Sequence, residues 1–188
     1  MRTGQIIYLS LSLLFCCNNT AHRDQPAEQE RNVVVANEFV DVFYSFNRDS
    51  LDAILSNAAG SRAGILFYQK WAECGHYKIV RRGTLIEKND SLVIVPVTVK
   101  DDLMGALQID LNVTDTFRLA IRDGQIRSVH TSSNDPDTYY EAKEWVKKNR
   151  PDLVEKACEG IWAEGSTPCE CVKGMVKGLR EFRASRKY

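Results

Sequence analysis

The stretch Val113–Ser133, VTDTFRLAIRDGQIRSVHTSS, constrains the fold more than any other. Val113, Phe117, Leu119 and Ile121 share the odd-numbered positions, broken only by Asp115, and Arg122-Asp123-Gly124 then interrupts the run. A shorter apolar–polar segment, Gln125–Thr131, follows. Alternation with a period of two around a short glycine-bearing connection is the pattern of an antiparallel hairpin. One face of such a hairpin is apolar and has to be buried against other parts of the chain.

The partners lie upstream. Val33–Phe46 carries Val35, Phe39, Val42, Phe43 and Phe46 at helical spacing. Asn47-Arg48-Asp49-Ser50 breaks it, and Asp49 or Ser50 can cap a second helix over Leu51–Ser56. A third helix is predicted over Arg62–Glu73, ended by Gly75. The pattern then changes to strands: His76–Ile86, Leu92–Lys100 with Val93, Val95, Val97 and Val99 on one face, and a long strand over Ala106–Ile121. Short connections make these strands an antiparallel meander. Pro96 cannot donate to a ladder and is expected at an edge or a bulge. After Asn134-Asp135-Pro136 three more helices are predicted. They are Thr138–Asn149, a segment from Pro151 to about Cys158, and a last helix opened by the capping-box pattern Thr167-Pro168-Cys169-Glu170. The last carries Val172, Met175, Val176, Leu179 and Phe182 on one stripe. Lys173, Lys177, Arg180 and Arg183 lie off it; contact with anionic lipid is one reading of them, and a solvated face is the favoured one.

The ends of the chain have other roles. Arg2 precedes the apolar run Ile6–Phe15, which is too short to span a bilayer and fits a secretory signal segment. Cys16 and Cys17 follow it directly, as a lipidated cysteine does in a bacterial lipoprotein, although Phe15 before and a second cysteine after depart from that pattern. The polar segment that follows cannot bury enough apolar area to order itself. The predicted organisation is therefore a signal peptide over 1–17, a flexible tether over 18–31, a folded domain over 32–133 and a helical extension over 134–188. The expected location is the periplasm or cell envelope, with a membrane anchor if the lipid is attached. Lysine plus arginine, 25, equals aspartate plus glutamate, 25, which argues against non-specific nucleic-acid binding. His22, His76 and His130 share no ligand spacing, so neither a metal nor another cofactor is expected.

Four cysteines remain beyond the signal: Cys74, Cys158, Cys169 and Cys171. An even number in an exported chain implies disulfides. Cys169 and Cys171 are too close in one helix to favour each other, so each reaches Cys74 or Cys158. The favoured arrangement is Cys158–Cys171 with Cys74–Cys169, which staples the extension to the domain. A redox or metal Cys-Glu-Cys site is the functional alternative, with Cys169 activated near a helix N-terminus.

Three helices followed by a meander ending in Asp115-Thr116-Phe117-Arg118 and Asp123-Gly124-Gln125-Ile126, with Glu38–Leu55 (EFVDVFYSFNRDSLDAIL) ahead of it, resemble the NTF2-like superfamily. The SnoaL-like and ketosteroid-isomerase-like branches are closest, and the resemblance covers roughly Val33–Ser133. It implies an α+β fold: a cone in which a curved antiparallel sheet packs on N-terminal helices around an apolar pocket, here with a C-terminal helical extension. Many members dimerise through the sheet. Asp115 matches the aspartic acid that the isomerase branch keeps protonated in an apolar site. The matching tyrosine position falls near Val42 or Phe43, and Asn57–Ala63 offers no aspartate as base. Thr131 stands where the cyclases place a catalytic aspartate, with His130 at the tryptophan position. Both mechanisms are disfavoured.

Asp115, His130, Tyr68 and Trp71 remain as candidate pocket residues, with His76 a further possibility. Asp115 interrupts the apolar face of its strand, where burial would raise its pKa. Its structural alternative is a pairing with Arg118 or a backbone amide, or a bulge that turns it outward. For His130 the alternative is a half-buried strand histidine, and for Tyr68 and Trp71 it is helix packing. The leading expectation is an exported domain that binds a small apolar ligand or partner without catalysis. One rival is an enzyme of the same fold using Asp115 and His130 as an acid–base pair. Another is a structural envelope protein forming a homodimer through its sheet.

Overall fold

The computed structural model of the chain describes residues 25–160 and 169–186. The signal segment, Cys16 and Cys17 lie outside the described residues, as do Thr167 and Pro168 of the predicted capping box. The fold is α+β. In chain order it runs α1 (Gln25–Tyr44), α2 (Arg48–Ile54), α3 (Ala59–Cys74), β1 (Lys78–Arg82), β2 (Ile86–Asn89), β3 (Leu92–Lys100), α4 (Asp102–Leu107), β4 (Val113–Arg122), β5 (Gln125–Ser133), α5 (Asp137–Asn149), α6 (Pro151–Val154) and α7 (Cys169–Ser185). None of the described helices is long and apolar enough to cross a membrane.

The five strands form one antiparallel sheet. β1 and β2 both pair with β3, one with each half of it, and β4 and β5 follow in order. Alternation decides which face is covered. Val93, Val95, Val97 and Val99 of β3 and Val113, Phe117, Leu119 and Ile121 of β4 are buried on one face. α1 meets that face over β3 and β4 with Phe39, Val40 and Phe43, while α3 packs beside β5. Each fully buried large apolar side chain contributes about 1.5–3 kcal/mol, so this layer is the main source of stability. α7 packs against α3, α4, α5 and α6. Gly174 lies against the Leu153 carbonyl and Gly178 against the Val146 side chain, approaches that leave no room for a Cβ.

Five expectations need correction. The tether does not run to Arg31, because Gln25–Tyr44 is helix α1. Its early residues are good helix formers and are held by the sheet turns. The Asn32 side-chain amide donates to the Asp90 carbonyl at 2.9 Å, and the Arg31 side chain lies over Gly124. The long strand over Ala106–Ile121 is shorter, for Asp102–Leu107 is helix α4. Asp101 caps it by accepting from the backbone N–H groups of Leu103 and Met104, and Leu103, Met104, Ala106 and Leu107 are buried. The strand predicted over His76–Ile86 is two strands, β1 and β2, broken around Gly83. Pro96 is in an interior strand, not at an edge. Its carbonyl accepts from the Gly83 N–H at 2.8 Å, so its backbone faces the gap between β1 and β2, where no ladder donor is needed. The second helix is capped by Asn47, whose side chain accepts from the Ser50 N–H.

The disulfides join Cys74 to Cys169 and Cys158 to Cys171, the arrangement favoured from the sequence. The first ties the end of α3 to the start of α7. With all four sulfurs bonded, none is a thiolate available for a Cys-Glu-Cys metal or redox site in this state.

Candidate functional site

Asp115 sits on the covered face of β4 because the strand runs unbulged from Val113 to Phe117 against β3. The residue is 1% exposed. An ionised carboxylate in that position requires hydrogen-bond donors, and two helices supply them. The Tyr44 hydroxyl, from the last turn of α1, donates to Oδ2 at 2.9 Å. The Tyr68 hydroxyl, from the middle of α3, donates to Oδ1 at 2.7 Å. Phe43 and Phe117 wall the group, with ring centroids 5.0 Å apart and each in contact with the Tyr68 ring.

Gln69 holds the two tyrosines in register. It is buried next to Tyr68, and its Nε2 donates to the carbonyls of Val42 (3.1 Å) and Phe43 (3.0 Å), just before Tyr44. A single side chain thus fixes the end of α1 to the middle of α3. Tyr77 extends the aromatic surface, its ring edge-on to Tyr68 at 6.4 Å. Its position follows from the close of α3, where Gly75 ends the helix and His76 takes a positive φ.

Burial pushes the Asp115 carboxyl up to about 6. The Tyr68 and Tyr44 hydrogen bonds pull the other way, while Asp135 and Asp101 add to the rise. Burial and the nearby Asp115 charge raise both hydroxyls, so neither ionises near neutral pH. The proton inventory follows from this. A tyrosine has one hydroxyl hydrogen, and with Asp115 ionised both hydrogens point at the carboxylate. In that state Tyr44, Asp115 and Tyr68 offer a ligand only acceptor lone pairs. Stabilising an enolate needs donors aimed at the oxyanion, and donors become free here only when Asp115 is protonated.

The remaining sequence candidates are dispersed. Trp71 is half-buried beside Phe67, at 6.3 Å between ring centroids, and packs against the core. His130 is exposed and pairs across the sheet with Arg118, on the face opposite Asp115. The Asp115–His130 acid–base pair is therefore corrected: β5 turns His130 outward because its inward position at that level is Val129. Arg118 also points outward, donating to Ser132 at 2.8 Å, and does not pair with Asp115. His76 is exposed with its Nδ1 2.6 Å from Asp102. The tyrosines that reach Asp115 are Tyr44 and Tyr68, not a residue at Val42 or Phe43. Tyr44 was missed: it stands beside Phe43 off the apolar stripe, and its one signal was a hydroxyl on an otherwise apolar helix end, whereas Gln69 carried no signal beyond its helix position.

An α+β protein with a buried tyrosine–carboxylate centre is the class that fold and site define. No protein-family model matches the chain, and no curated protein matches it.

Proposed function

We propose that this is an exported NTF2-like domain whose cone binds a small, largely apolar molecule through the Tyr44–Asp115–Tyr68 centre, without catalysis. Asp115 carries the reading. A carboxylate buried among aromatic rings with only neutral partners costs stability that an apolar residue would not cost, and such a cost is characteristic of a site. The ionised centre accepts and does not donate, so the ligand brings one hydrogen-bond donor, a hydroxyl or an amine, on an apolar body. The separation of His130 from Asp115 supports a binding role, since neither described histidine, His76 nor His130, shares the centre. The helices-then-meander order and the position of Asp115 support the NTF2-like assignment. The two disulfides support export, as such bonds persist in oxidising compartments.

The test is native mass spectrometry on protein isolated from its own envelope without reductant. The expected result is a retained small organic mass that is lost in Asp115→Leu. Robust isomerase or hydrolase turnover that disappears in Asp115→Asn would overturn the non-catalytic reading.

A further inference from the structure

Among the described residues, the face of the sheet opposite the helices has an unusual charge pattern for a chain of zero net charge. The register places Lys78, Arg81, Lys100, Arg118, Arg122 and His130 on it, and all six are exposed. The only acidic residues in the five strands are Glu87 and Asp115, and both belong to the other side, Glu87 opposite Val93 and Asp115 opposite Val97. One cross-strand pair sets cationic side chains directly against each other, Lys78 against Lys100. Like charges in directly opposed positions destabilise a sheet, and no carboxylate on these strands relieves them.

We infer that this face docks on an anionic phospholipid surface. A second copy is the wrong occupant, because a twofold contact would set one cationic face against another. The cations are spread over β1, β3 and β4, and Lys100 and Arg122 lie at opposite ends of the sheet, about 30 Å apart along the strands. A two-dimensional array of this kind matches a plane of headgroups, whereas an acidic polymer would follow a line. Serine and threonine hydroxyls between the cations, at Thr98, Thr114, Thr116 and Ser132, suit phosphate oxygens. The start of the domain is at the same end as Arg122, since Arg31 of α1 lies over Gly124 and Asn32 bonds Asp90. Cys17 stands eight positions before Gln25, a reach of at most about 28 Å. This last point rests on the proposed export and lipidation; the charge pattern does not.

The experiment is vesicle sedimentation with the full chain carrying Cys16→Ala and Cys17→Ala, so that no acyl group contributes. Vesicles are phosphatidylcholine alone, or phosphatidylcholine and phosphatidylglycerol in equal parts. The expected result is preferential binding to the mixed vesicles, screened out by high salt. Lys100→Gln/Arg118→Gln/Arg122→Gln should weaken it by about tenfold or more. Lys148→Gln/Lys173→Gln/Lys177→Gln, which removes the same charge from α5 and α7, should leave it intact. The exposed single reversal Arg118→Glu serves if the triple variant does not fold. Equal binding to both vesicle types overturns the inference, as does loss of the preference in the α5/α7 variant alone. Binding to dextran sulfate with none to mixed vesicles also overturns it and points to an acidic polymer. Acylation is read separately, as an acyl mass on the unaltered protein.

Discussion

Asp115 can be tested through its own titration. Its folded pKa lies near 6, above the usual aspartate value of about 3.9, so between those values the folded state holds the proton more tightly than the unfolded chain does. The sign follows: the stabilisation is full below about pH 4, declines as pH rises, and is gone above about pH 6. The side-chain amide introduced by Asp115→Asn would keep an acceptor for one tyrosine and a donor for the other but would not titrate. Chemical unfolding of wild type and Asp115→Asn across pH 4–7 should therefore show wild type losing about 2–3 kcal/mol relative to the variant. A difference independent of pH would mean that Asp115 does not titrate in this window. At this scale the sequence is partly legible. A carboxylate on an apolar strand face announces its own burial, but the residues that satisfy it come from α1 and α3, 71 and 47 positions away.

The helices and strands were legible where one periodicity acted alone. β3 reads directly from its alternating valines. The segment Asp102–Leu111 satisfied two patterns at once, since Leu107, Ile109 and Leu111 alternate like a strand while Leu103, Met104, Ala106 and Leu107 follow a helix. The Asp101 cap decides between them, and it is visible in the sequence as an aspartate before an apolar run. The break between β1 and β2 was hidden because it depends on Gly83 meeting the Pro96 ring, where a Cβ would come within 2.6 Å. The packing of α7 depends on contacts of the same kind. Gly174→Ala forces a methyl group against the rigid Leu153 carbonyl, and we expect a loss of about 1–3 kcal/mol in urea unfolding. Gly64→Ala, at an open helical position on α3, should be neutral or slightly stabilising in the same assay.

For the molecule as a whole, the two disulfides are not equivalent. Cys74–Cys169 spans 95 positions and Cys158–Cys171 spans 13. If each acts by restricting the unfolded chain, removing the longer bond by Cys74→Ser/Cys169→Ser should cost about 1–2 kcal/mol more than Cys158→Ser/Cys171→Ser. Equal losses would place the effect in the folded state. The cysteines alternate along the chain, Cys74 and Cys158 preceding Cys169 and Cys171 respectively, so the two covalent rings overlap instead of nesting. Any single peptide bond between Cys74 and Cys171 therefore lies inside at least one ring. A protease that cuts once anywhere in that span, in a sheet turn or between α6 and α7, opens a ring without releasing a fragment. A molecule nicked once in this span would stay in one covalent piece until a second cut, or reduction of the bridge that closes the ring, let a part of it go.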